Sequence, residues 1–161
     1  MYFKEFKITK IKFIGLFSIY MILLLLIISI IECKEYYFQN AYTSYYLKNC
    51  RKTETVCTYN KKEFNFDSKW SLEQKNDIFL IISKRDGRCL DVSDYDWTIY
   101  LNKCNNASSQ EWVLIRTDSY VFKIFNVEER CVLSSDIQGN VFGMFFTVNS
   151  EIPDNKWFIF Q

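Results

Sequence analysis

The chain contains no histidine, a single proline and only four glycines among its 161 residues. The missing histidine removes the commonest general base and the commonest metal ligand together, so Ser-His, Cys-His and most zinc chemistries are unavailable. Catalysis would have to run on carboxylates alone, so the sequence reads as a non-enzyme that needs neither cofactor nor metal. An excess of one charge is also lacking, since Lys+Arg number 20 and Asp+Glu 19. Removing residues 1–33 takes away four Lys and two Glu and leaves 16 basic against 17 acidic residues. A nucleic-acid partner would need a clustered basic face, and this balance supplies none.

What the chain has in quantity is aromatic residues, 19% of the total, with Phe 15, Tyr 11 and Trp 4. Aromatic and β-branched richness favours strands over helices. No window beyond the first 33 residues sustains a helical period, which points to an all-β domain over residues 34–161. A unit of this size fills one domain, without a linker rich in Gly or Pro.

The first 33 residues are different. Lys4, Lys7, Lys10 and Lys12 precede an uncharged apolar run from Phe13 to Ile31, and Glu32 is the next charge. A basic start followed by an apolar stretch is the plan of a secretory signal peptide, with cleavage expected after Cys33. The run is also long enough to span a bilayer as a helix, so a retained signal anchor is the rival reading. The lysines stay on the cytoplasmic side in both cases, which places residues 34–161 outside the cytosol. Membrane contact is then expected only through residues 13–31, and only if the leader is kept. Five cysteines follow, at 50, 57, 89, 104 and 131, and an oxidising compartment lets cysteines pair. Asn106-Ala107-Ser108 is an N-glycosylation sequon, usable on an exported chain.

Three tryptophans mark an internal repeat. Trp70, Trp112 and Trp157 lie 42 and 45 residues apart, and each opens an apolar stretch. Before Trp112 and Trp157, an apolar run, a charged turn and a Cys-apolar unit recur (Cys89-Leu90 and Cys131-Val132). The first turn is more degenerate, with Tyr45–Leu47 and Thr55–Tyr59 as candidate strands. Short strands at this spacing predict three repeats of about four strands each, over about 34–76, 77–118 and 119–161.

The middle turn reads Gly87-Arg-Cys-Leu-Asp-Val92, Thr98-Ile-Tyr-Leu-Asn-Lys-Cys104 and Gln110-Glu-Trp112. It resembles the ricin-B (R-type) lectin repeat, with its Cys-Leu-Asp-Val strand, its second Cys and its Gln-x-Trp signature. The third turn matches more weakly, through Arg130-Cys-Val-Leu133 and Asn155-Lys-Trp157. The resemblance implies a β-trefoil of three degenerate four-strand repeats behind an apolar leader helix, with Trp70, Trp112 and Trp157 as core anchors. It also implies a bridge between Cys89 and Cys104. Cys50 and Cys57 are placed to pair locally, which leaves Cys131 buried and free, paired with one of those two, or linking two chains.

The resemblance further implies a sugar site in the middle turn. Asp91 takes the family's carboxylate position and Gln110 its Gln position, but Asn102 stands where an aromatic platform is usual, and Ser109 replaces an Asn. Trp97, in the loop Ser93–Trp97, is a substitute platform. In the third turn Leu133 falls at the Asp position and Phe145 at the aromatic one; the first turn offers Tyr59 without an acid. The expected function is a secreted lectin-like module that binds glycans or glycoproteins without catalysis. The alternative is a trefoil that has lost sugar binding and acts through a protein partner.

Overall fold

The computed structural model describes residues 20–21, 34–50, 55–60, 66–145 and 153–161. The chain divides into two units, Met1–Cys33 and Lys34–Gln161. Apart from Tyr20 and Met21, the expected leader lies outside the described residues. Among the described residues, no helix is long and apolar enough to cross a membrane.

Among the described residues, Lys34–Gln161 forms twelve short strands. The first repeat contains β1 (Tyr37–Asn40), β2 (Tyr46–Asn49), β3 (Val56–Tyr59) and β4 (Trp70–Lys75). The second contains β5 (Ile78–Ser83), β6 (Cys89–Val92), β7 (Ile99–Asn102) and β8 (Trp112–Asp118). The third contains β9 (Val121–Asn126), β10 (Cys131–Ser135), β11 (Val141–Phe145) and β12 (Trp157–Phe160). The outer strands of each repeat pair antiparallel as β1–β12–β9–β8–β5–β4. Reciprocal bonds between the Tyr36 and Trp70 backbones, 2.8 and 3.0 Å, bring the ends of this ring together in a nearly closed barrel.

The inner strands of each repeat form hairpins, β2–β3, β6–β7 and β10–β11. Single bridges Thr55–Tyr100, Thr98–Phe142 and Cys57–Asn140 lock the three hairpins into a triangular cap. The arrangement is a β-trefoil, and its pseudo-threefold symmetry is visible residue by residue. Phe38, Ile81 and Ile124 are equivalent and fully buried, as are Leu47, Leu90 and Leu133. The three tryptophans complete the core at 0% exposure. Each indole N–H donates to the carbonyl of the leucine in its own repeat: Trp70 to Leu47 at 3.1 Å, Trp112 to Leu90 at 3.0 Å, Trp157 to Leu133 at 2.8 Å. The polar edge of the largest core side chain is thereby satisfied inside a dry barrel, which explains why Trp recurs here.

This symmetry corrects the register expected for the third turn. Leu133 matches Leu90, because both accept the indole bond of their repeat. Ser134, not Leu133, therefore occupies the position of Asp91. Met144, not Phe145, occupies that of Asn102, since β10 and β11 pair Leu133 with Gly143 as β6 and β7 pair Leu90 with Leu101. Cys131 consequently corresponds to Arg88 rather than to Cys89. Its thiol is free and buried, and burial first, then the Glu129 charge, pushes it up to about 12.

Among the described residues two disulfides are present, Cys50–Cys57 and Cys89–Cys104, with Cα–Cα separations of 5.9 and 5.1 Å. The second ties β6 to the segment that leads into Trp112, and so holds the middle turn's candidate residues together.

Candidate carbohydrate site

The site grows from β6. Strand alternation sends Leu90 into the core and turns Asp91 toward the face between β6 and the 103–110 segment. Asp91 is only 2% exposed and Gln110 is 0% exposed. The Gln110 amide donates to Asp91 Oδ2 at 2.8 Å and to the Lys103 carbonyl at 3.0 Å, while its own carbonyl accepts the Asn105 N–H at 3.0 Å. Both amide hydrogens and the acceptor of Gln110 are thus engaged within the protein. Gln110 is a positioning residue: it fixes Asp91 and staples the loop after Cys104 to it.

Asn102, exposed at the end of β7, adds a second donor to Asp91 Oδ2 at 3.3 Å, and its carbonyl accepts the Lys103 N–H at 2.8 Å. One carboxylate oxygen is therefore held twice. The other, Oδ1, is buried and has no hydrogen-bond partner. A buried carboxylate oxygen without a donor is costly, and a hydroxyl brought to it would relieve that cost. Tyr100, paired with Asp91 across the β6–β7 ladder, flanks the same face. Burial first, then the charges of Asp91, Asp94 and Glu129, hold its phenol above the usual range.

The loop Ser93–Trp97 is tightly organised. Ser93 and Thr98 pair through the backbone at 2.9 Å, and Asp96 accepts the Thr98 N–H at 3.0 Å. That bond, with the Ser93 and Thr98 side chains, lowers the Asp96 carboxyl. Trp97 has φ 56, a left-handed backbone that bulky residues rarely adopt. Its side chain packs against the barrel core rather than standing free, and the exposed aromatic of this loop is Tyr95, at 94%. The structure thus brings Asp91, Asn102 and Gln110 into one bonded group and sets Trp97 against the neighbouring repeat.

The equivalent positions in the other repeats lack this chemistry. In the first, Lys48 replaces Asp91 and its ammonium lies 4.7 Å from the centre of the Tyr59 ring, over the face on which a sugar would stack. In the third, Ser134 and Asn155 replace Asp91 and Gln110. Both are fully buried, and neither side chain has a hydrogen-bond partner. The shorter pair does not form the bond that Gln110 makes to Asp91. Asp91, Asn102 and Gln110 are marked in the sequence by the family motif; Lys48 carries no such mark, because its place depends on the hairpin register.

The geometry defines the fold: a β-trefoil whose middle repeat holds Asp91, Asn102 and Gln110 in one hydrogen-bonded group. A family model described as a ricin-type β-trefoil lectin domain-like model matches residues 66–141, so this part of the chain is similar to that family. No curated protein matches the sequence. Among solved structures, the designed threefold-symmetric protein ThreeFoil aligns with TM-score 0.70 at 15% identity, over 79% of this chain and 98% of that one. SeviL bound to asialo-GM1 saccharide aligns with TM-score 0.65 at 14% identity, over 79% and 96%. A lectin of Polyporus squamosus, bound to the epitope Neu5Aca2-6Galb1-4GlcNAc, gives TM-score 0.65 at 17% identity, over 78% and 48%. At these identities the likeness concerns the fold.

Proposed function

We propose that the chain is an exported, non-catalytic module that binds galactose-type or related neutral glycans through the middle repeat. The observation that carries this reading is Asp91: buried, oriented by Gln110 and Asn102 on one oxygen, and unpartnered on the other. Sugars are recognised by carboxylate and amide groups that bond vicinal hydroxyls, and Asp91 Oδ1 with the Asn102 amide supplies that pairing. Gln110 acts through Asp91 rather than on the ligand. Export is supported by the basic-apolar leader, by two disulfides suited to an oxidising compartment, and by an exposed Asn106 in the sequon. The absence of histidine supports a role without catalysis, leaving any enzymatic step to another chain.

The test is binding of the exported protein to an array of neutral and acidic glycans, repeated with Asp91→Ala. Binding that Asp91→Ala abolishes supports the reading. One observation favours the second reading, a trefoil acting on a protein partner: the position of the usual stacking aromatic holds Asn102 instead. A blank array combined with capture of one defined extracellular protein would replace the first reading by the second.

A further inference from the structure

Trp97 and Phe145 lie outside the Asp91 group, yet they form an aromatic pair at the seam between the second and third repeats. Their ring centroids are 6.0 Å apart, tilted by 34°, and Phe145 is 53% exposed. The pair is held in place by an unusual local fit. The Gly143 N–H donates to the Trp97 carbonyl at 2.8 Å, and a Cβ on Gly143 would come within 2.9 Å of Trp97 Cβ and 3.0 Å of Cys131 Sγ. Glycine at 143 thus lets Trp97 seat on β11 despite its left-handed backbone. Carboxylates lie near this seam along the chain: Glu129 is two residues before Cys131, which pairs with Phe145 across β10–β11, and Asp94 is three residues before Trp97. Burial first, then the charges of Asp94, Glu128 and Asp91, raise the Glu129 carboxyl. Asp91 and Trp97 belong to one hairpin, since β6 and β7 pair Asp91 with Tyr100 and the Ser93–Thr98 turn that carries Trp97 joins them.

We propose that the seam is a second subsite, in which the Trp97–Phe145 pair stacks a further uncharged sugar ring of the glycan whose first ring sits at Asp91, with Glu129 and Asp94 accepting its hydroxyls. The inference rests on the sugar-binding reading above and specifies its ligand as at least a neutral disaccharide. An aromatic face beside hydroxyl acceptors matches a pyranose, which presents one apolar face and a polar rim. The clustered carboxylates oppose acidic sugars by like-charge repulsion. The displaced platform also accounts for Asn102: the aromatic contact has moved from the end of β7 to the seam.

The test compares the affinity of galactose with that of lactose and of a neutral galactose-terminated tetrasaccharide, by calorimetry, for the exported protein and for Phe145→Ala. The oligosaccharides bind more tightly than galactose, and Phe145→Ala lowers the oligosaccharide-to-galactose affinity ratio about threefold to tenfold, the weight of one aromatic contact. An unchanged ratio in Phe145→Ala overturns the subsite while leaving the Asp91 reading standing. A sialylated tetrasaccharide that binds as tightly as its neutral parent overturns it too. If the unaltered protein binds none of these sugars, the Asp91 reading fails and the subsite fails with it.

Discussion

Replacing Trp112 by Phe removes the indole N–H that the Leu90 carbonyl accepts at 3.0 Å, in a core where both residues are 0% exposed. Leaving a buried carbonyl short of its donor costs about 1–3 kcal/mol. The smaller ring adds about 1–2 kcal/mol of lost burial and cavity, because the surrounding barrel strands relax only in part. The expected loss is about 2–5 kcal/mol, a large share of the about 5–15 kcal/mol typical of a domain. Urea unfolding of the protein, followed by circular dichroism, reads this as a lower midpoint at unchanged slope. Trp70→Phe and Trp157→Phe make the same change at symmetry-equivalent positions and should cost similar amounts. Tyr120→Phe, at a residue 75% exposed, serves as control and stays within about 0.5 kcal/mol. A cost below about 0.5 kcal/mol for all three tryptophans would refute the reasoning that indole–carbonyl bonds hold the barrel to its cap.

Other consequences follow from the same structure. Removing the Cys89–Cys104 bridge by the double serine variant opens a loop of sequence separation 15, for which chain entropy gives about 3 kcal/mol of lost stability in the same unfolding assay. Gly143→Ala forces a Cβ to within 3.1 Å of the Trp97 carbonyl, and a drop of about 1–3 kcal/mol is expected from overpacking. The Cys131 thiol resists alkylation in the native protein at pH 8, as peptide mapping after iodoacetamide treatment would show. Its folded value of about 12 lies above the ordinary 9.0, so the unfolded chain ionises first. Stability is therefore retained below pH 9 and declines as pH rises beyond it, and this part of the decline disappears in Cys131→Ala.

The fold was legible because its repeating constraint is large and chemical. A buried indole needs one acceptor and a wide apolar setting, so Trp70, Trp112 and Trp157 keep their rhythm even where their surroundings drift. The grouping in the middle turn was legible for a related reason: Cys89 is bridged to Cys104 and Gln110 bonds Asp91, so each pair recurs as a unit of the motif. The third repeat was misplaced by one residue because Cys131-Val132 imitates Cys89-Leu90. The buried thiol is not a bridge half; it fills space beside Gly143 and Trp97. Lys48 was invisible as the counterpart of Asp91, since no motif marks the first repeat and only the β2–β3 register shows the correspondence. The contact of Trp97 with Phe145 joins residues 48 positions apart across two repeats, which no local pattern encodes.

Asp91 carries the proposed sugar binding. Equilibrium binding of the protein to galactose-terminated neutral glycans should be measured beside Asp91→Ala, with circular dichroism confirming that the variant folds. Saturable binding that the folded variant loses is the predicted result. A folded variant that binds as the unaltered protein does, or an unaltered protein that binds no glycan, would contradict it.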